Sequence, residues 1–385
     1  MSPTDRNLFA LCLAGVIAML GVGVVGPILP IYALSFGVSY TATGTIISAF
    51  GVARLFTEAP VGWLADRLGK KRIIVLGIGV MSLSAFIAAF AGDVFQLVLA
   101  RLVQGVGAAL YATTATALVA DIAPLDRRGA YMSYFQGSFF MGIAFGPAVG
   151  GIAAEVAGIR APFLLWGVLA AVSAVFAKSM VGDSPSGHWG GSDETDVREH
   201  SRASMFDRVL IPSYLAGLTT LLISSGLRFT LIPIYGKHIG LTLGQVGAVL
   251  TVAAATNVAV MPLSGRLIDK FGVRPSLLYG FLLYALAVYS FTWSDDFLKM
   301  VVSGLLLGLT TAMVYPAQAT NIAAEVTTAR RGLAFGVYRS FCDVGLIVGP
   351  LVVGLLIDAS GFVAPLMLMS CLSLIVGTCV LLLFR

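Results

Sequence analysis

The chain has 385 residues and a mass of 40.2 kDa; 58% of its residues are hydrophobic, only 11% are charged, and the mean hydropathy is +0.94. A soluble domain carries roughly a quarter charged residues because its surface meets water, so this composition excludes a soluble enzyme, a nucleic-acid-binding protein and a disordered scaffold. The formal net charge of +5 would suit an acidic partner, but the positions of the basic residues give it another meaning.

Crossing a bilayer takes about 20 apolar residues in a helix. In chain order twelve such runs are predicted, over about 7–36, 42–65, 73–92, 94–121, 129–156, 161–181, 208–236, 243–266, 275–294, 296–322, 332–359 and 363–384. Ten-residue stretches of alternating polarity are missing, which argues against an outer-membrane barrel. The first run is long and is followed by no small-residue cleavage site, so it reads as a first span and not as a cleaved leader. The predicted fold class is therefore all-α, with 12 transmembrane helices.

Lys and Arg in short loops set orientation. Arg6, Arg67, Lys70, Lys71, Arg72, Arg127, Arg128, Lys178, Arg198, Arg202, Arg208, Arg266, Lys270, Arg274, Arg330, Arg331 and Arg385 fall on one side, and only Arg160, Lys237 and Lys299 on the other. Both termini are expected on the cytoplasmic face of a multi-pass protein in the cell (inner) membrane. The basic excess is thus a topology signal, and no nucleic-acid partner is expected. Cys12, Cys342, Cys371 and Cys379 all lie in apolar runs without a C-x-x-C pair, so neither a disulfide framework nor a metal site is expected.

The chain repeats itself. GWLADRLG at 62–69 recurs as GRLIDKFG at 265–272, an offset of 203, and the same offset pairs Pro30-Ile31-Tyr32 with Pro233-Ile234-Tyr235. It also pairs Gly105 with Gly308, Arg128-Gly129 with Arg331-Gly332, Gly146-Pro147 with Gly349-Pro350, and Ala161-Pro162 with Ala364-Pro365. Two six-helix bundles of like topology are predicted, 1–181 and 208–385. The polar, Gly- and Ser-rich stretch 182–207, which holds His188 and His200, reads as a cytoplasmic linker between them. Transporters built from such parallel repeats place the substrate site near the midplane, between the halves.

Three motifs stand out. GWLADRLGKKR at 62–72 matches G-x-L-x-D-R-x-G-(R/K)-(R/K)-R. RLVQGVGAA at 101–109 matches R-x-x-Q-G-x-G-A-A, and GIAFGPAVGG at 142–151 matches G-x-x-x-G-P-x-x-G-G. With these motifs the whole chain resembles a twelve-span member of the major facilitator superfamily, in its drug:proton antiporter branch. In the first motif Gly62 suits close backbone approach and Gly69 a tight turn. Asp66 suits a helix end, and Arg67 and Arg72 supply donors to carboxylates. The resemblance implies that this loop is a conformational latch for the outward-facing state, with Asp121 as one partner. Asp269, with Gly265 and Gly272, marks a weaker second copy. The resemblance gives Arg101 a role in proton coupling; the alternative is a structural hub with Gln104. Gly142, Gly146 and Gly150 share one helix face and permit close packing, Pro147 bends the helix, and Gly151 completes the pattern.

Ionised groups inside spans are costly, so each is a functional candidate. They are Arg54, Glu58, Arg101, Arg228, Arg339 and Asp343. Arg54 with Glu58, and Arg339 with Asp343, lie four apart and share a helix face. Most have no charged counterpart in the other repeat: the offset sets Asn257 against Arg54, Val25 against Arg228, Gln136 against Arg339 and Phe140 against Asp343. Asp343 is the first choice for a proton carrier and Glu58 the second; the rival reading is two static ion pairs. Four Arg against two acids leave these spans with a formal charge of +2, and Leu8–Phe36 has no charge at all. An anionic or zwitterionic amphipathic cargo, with Arg228, Arg339 or Arg54 as counter-charge, suits that sum.

No H-E-x-x-H, G-x-S-x-G or phosphate-binding glycine loop appears, which argues against an enzyme and against ATP-driven transport. The expectation is a secondary transporter exporting small amphipathic or drug-like molecules by proton antiport; an organic-anion carrier is the alternative. No cofactor is expected beyond a proton gradient as driving force. The partners are protons, the lipid bilayer and a small-molecule substrate, and the chain is expected to act as a monomer.

Overall fold

A computed structural model describes residues 3–124, 127–182, 210–326 and 331–383. Apart from Gly182, the linker 182–207 lies outside the described residues, as do its two histidines. The described residues form thirteen α-helices and no strand. They are α1 (Pro3–Leu34), α2 (Tyr40–Leu68), α3 (Lys70–Ala89), α4 (Val94–Ile122), α5 (Arg128–Ala157), α6 (Ala161–Met180), α7 (Ile211–Gly226), α8 (Ile232–His238), α9 (Leu243–Phe271), α10 (Val273–Ser290), α11 (Phe297–Glu325), α12 (Arg331–Ser360) and α13 (Val363–Leu383). A π-helical turn, Leu227–Leu231, joins α7 to α8 without a break.

Ten helical stretches among the described residues are long and apolar enough to cross a membrane. The α7–π–α8 stretch, Ile211–His238, is one of them, whereas α2, which carries Arg54 and Glu58, is not. In α13 the apolar helix Val363–Cys379 is shorter. Helices dominate because lipid offers the backbone no hydrogen-bond partner, so each span must satisfy its own N–H and C=O groups.

The chain divides into two compact units. Unit 1 comprises Met1–Val38, Thr45–Trp189 and Thr242–Gly247; unit 2 comprises Ser39–Gly44, Gly190–Leu241 and Ala248–Arg385. In unit 1, α1 packs along α5, and α3 packs on both α4 and α6. Tyr111, Phe135, Phe163 and Trp166 are the largest side chains sealed in its interior. In unit 2, α7 packs along α12, and α10 on α11 and α13, around Tyr214, Tyr284, Phe281 and Phe291. Lipid is as apolar as leucine, so these helices are held by close packing and by hydrogen bonds more than by the hydrophobic effect.

The repeat is visible in the backbone. Among the described residues six have positive φ, all of them glycine, and they form three pairs separated by 203: Gly37 with Gly240, Gly69 with Gly272, and Gly158 with Gly361. Each sits in a short connection where a side chain would be strained. Asp93 caps α4 by accepting from Gln96 N at 2.9 Å, and Asp296, 203 residues on, caps α11 by accepting from Lys299 N at 2.8 Å. In α4 of unit 1, a methyl on Gly105 would strike the carbonyl of Phe50; in α11 of unit 2, one on Gly308 would strike the carbonyl of Ala253, again 203 on. The same sequence offset therefore dictates the same helix approach twice.

Candidate functional site

The glycines of the third motif meet α1. A Cβ on Gly146 would lie 2.5 Å from Gly23 Cα, one on Gly150 would lie 2.6 Å from the Val24 carbonyl oxygen, and one on Gly142 would overlap the Val16 carbonyl. Gly151 faces elsewhere: its Cβ would lie 2.6 Å from the Leu243 carbonyl oxygen, at the start of α9 within unit 1. Pro147 lies inside α5, which continues through it as one helix from Arg128 to Ala157. In unit 2, Gly345 and Gly349 press on the Leu218 and Leu222 carbonyls of α7 in the same way.

The first motif differs from its sequence reading in two details. Gly62 faces open space, so no close backbone approach depends on it in this conformation. Asp66 is exposed and has no hydrogen-bond or ion-pair partner among the described residues. Asp121, at the end of α4, pairs with Lys70 of this loop. Lys70 opens α3 one residue after Gly69, whose φ of +90° turns the chain sharply and sets the lysine beside α4. Arg67 lies over the Trp63 ring at 4.3 Å, a cation–π contact on its own helix face, and Arg72 is exposed. Asp269, in the second copy, is exposed as well.

Three of the ionised groups singled out from the sequence, Arg54, Glu58 and Arg101, lie in unit 1. Arg54 Nε donates to Glu58 Oε1 at 2.8 Å, one turn along α2, and both side chains are 20% exposed. No acid pairs with Arg101 among the described residues. Its guanidinium donates to Gln104 Oε1 and stacks 4.7 Å over the Phe50 ring, while its Nε is buried without a hydrogen-bond partner. Gln104 is itself buried.

Unit 2 is more polar inside. Asp343 on α12 is 5% exposed, whereas Arg339, one turn earlier, is exposed. Tyr338 donates to Gln318 Oε1 at 2.7 Å, and Gln318 Nε2 donates to Thr220 Oγ1 at 2.8 Å, a chain that links α12, α11 and α7. Arg228, in the π-helical turn, donates from Nη2 to Thr311 Oγ1 at 3.3 Å, and Asn257 Nδ2 donates to the same oxygen at 2.9 Å.

Two acids that sequence reasoning passed over also cap helices. Asp358, near the end of α12, accepts from Tyr40 N at 3.1 Å and from Thr41 N at 2.8 Å, both within unit 2. Glu155, near the end of α5, accepts from Gly244 N at 3.0 Å and from Thr242 Oγ1 at 3.2 Å, both within unit 1. A carboxylate at a helix N-terminus satisfies orphan N–H groups and complements the helix dipole. The two acids lie 203 residues apart, so the repeat offset itself was the signal that could have found them.

Apolar helices long enough to cross a membrane several times, with a few ionised side chains among them, describe a multi-pass membrane protein, and the family its sequence matches is one of transporters. The chain belongs to the Major Facilitator Superfamily, which it matches over residues 11–242 and 213–385. It is 27% identical over 384 residues to an uncharacterised transporter of that type from Methanocaldococcus jannaschii, covering 98% of each chain. It is 26% identical to multidrug resistance protein 2 of Bacillus subtilis, over 92% of this chain and 90% of that one. Quinolone resistance protein NorA of Staphylococcus aureus is likewise 26% identical, over 92% of this chain and 90% of that one. A bacterial homologue of the human lysosomal transporter Spinster superposes with a TM-score of 0.81 at 16% identity, over 98% of this chain and 96% of that one. That last likeness concerns the fold alone.

Proposed function

We propose that the chain is a secondary active transporter that exports small amphipathic, drug-like molecules in exchange for protons. Twelve spans form two six-helix bundles, 1–181 and 208–385, and transport proceeds by alternating access. The protein acts as a monomer in the inner membrane, with both termini cytoplasmic, the proton gradient drives it, and no cofactor takes part. One observation carries this reading: Asp343 is a carboxylate buried at 5% exposure in the apolar helix α12. A carboxyl group so placed is expensive to keep charged, and a proton taken up and released there with the conformational cycle gives that cost a use. The names of the relatives, multidrug resistance and quinolone resistance, support the cargo class. Glu58, beside Arg54, is the second proton-handling group. Arg101, Gln104, Arg228 and Arg339 line the pathway, and the loop around Asp66, with Asp121 and Asp269, is the latch.

A specific observation favours a second reading, an organic-anion carrier: within the spans four arginines face only two acids. The two are separated in proteoliposomes. A quinolone added to liposomes holding a pH gradient is expected to collapse that gradient when the protein is present. Electrogenic quinolone movement that leaves the gradient intact overturns proton exchange and leaves the anion carrier standing.

A further inference from the structure

We infer that Arg228 and the hydroxyl groups around it form the docking point for a carboxylate of the transported molecule. The inference rests on the transporter reading above and narrows its cargo to amphipathic carboxylates and zwitterions that carry one.

A guanidinium offers five N–H donors in a rigid fork shaped for an oxyanion. In Arg228 one of these is used, in the 3.3 Å bond to Thr311 Oγ1, and that acceptor is already crowded. It takes the Asn257 donor at 2.9 Å and gives its own hydrogen to the Leu307 carbonyl at 2.9 Å. Arg228 Nε is buried with no hydrogen-bond partner, and no carboxylate pairs with Arg228 among the described residues. A cation left half-satisfied within an apolar helix is costly unless a partner arrives. One guanidinium among neutral donors suits a singly charged oxyanion.

The backbone is irregular at the same place. Residues Leu227–Leu231 form the π-helical turn, closed by Ile232 N donating to the Leu227 carbonyl. Pro233 cannot donate to the Phe229 carbonyl, which permits the wide turn. Pro30, its counterpart 203 residues earlier, sits in an unbroken α-helix, so proline alone does not demand it. Such turns inside α-helices recur at functional sites.

The repeat sharpens the case. Moving back by 203 from Thr220, Tyr284, Thr311, Tyr315 and Gln318 gives Ile17, Met81, Ala108, Ala112 and Ala115, and from Arg228 it gives Val25. A scaffold requirement would appear in both copies. Unit 2 alone carries these polar side chains, and Thr311 among them bonds the cation.

The test uses the purified full chain in detergent and follows thermal stabilisation by 2-naphthoate, with 2-naphthamide and 2-naphthylmethylammonium as neutral and cationic probes of the same body. Binding to the folded state raises the melting temperature through mass action. The carboxylate is expected to stabilise the wild-type protein more than either relative. Arg228→Met is expected to weaken it at least about tenfold while leaving the amide unaffected, because a charge-assisted hydrogen bond is lost. Equal stabilisation by acid and amide, preference for the cation, or undiminished carboxylate binding in R228M overturns the inference. The acid-against-amide comparison on wild-type protein stands even if R228M fails to fold. Proton exchange is read separately: an absent carboxylate preference with intact collapse of the pH gradient overturns this docking point alone, and the converse overturns the antiport reading alone.

Discussion

Asp343→Asn is expected to reduce pH-driven quinolone flux in proteoliposomes to the level of empty liposomes, while counterflow of labelled against unlabelled quinolone continues. The substitution keeps the shape and removes the exchangeable proton. Counterflow needs binding and conformational exchange but no net proton movement, so its survival shows that the variant is folded and cycling. Asp343→Glu, which restores an ionisable oxygen on a longer arm, is expected to recover part of the driven flux. The competing view makes Asp343 a static member of a buried ion pair. In that case D343N lowers the melting temperature, because breaking a buried pair costs about 3–5 kcal/mol, yet leaves pH-driven flux in place. The two views therefore predict opposite flux from one variant.

Gly146→Leu is expected to be strongly destabilising. The added Cβ would sit 2.5 Å from Gly23 Cα, where there is backbone on both sides and no flexible side chain to give way. Overpacking typically costs about 1–3 kcal/mol and occasionally more, and the rigidity of this contact places it at the top of that range. A fall in melting temperature of about 5–10 °C is the expected reading in detergent. Gly137→Leu is the control on the same helix, since nothing lies within 4 Å of a Cβ there. It should leave stability unchanged. A Gly146→Leu protein as stable as G137L contradicts the close approach of α1 and α5.

Much of this architecture was legible beforehand because lipid is a demanding solvent. Runs of apolar residues announce helices, and the 203-residue offset gathers the left-handed glycines, the helix-capping aspartates and the packing glycines into pairs. Azimuth and partner choice were not legible. Sequence spacing placed Arg54 and Glu58 on one face, where they meet at 2.8 Å, because both partners are on one helix. The resemblance set Asp121 against this loop without saying which side chain it meets; the structure gives Lys70, which the turn at Gly69 sets beside α4. Hydropathy marks Arg228 as costly but cannot announce that it bonds Thr311 of α11, or that Asn257 of α9 donates to the same oxygen. Nor does it foresee a π-helical turn, which depends on how neighbours absorb the carbonyls freed by proline.

The most direct test of the account is proton release on ligand binding. Purified protein in weakly buffered detergent, with a pH-indicating dye, is titrated with a quinolone at several pH values across the neutral range. The account predicts release that saturates with the ligand in the wild type and vanishes in D343N while binding persists. Saturable binding with no proton released at any pH would contradict it.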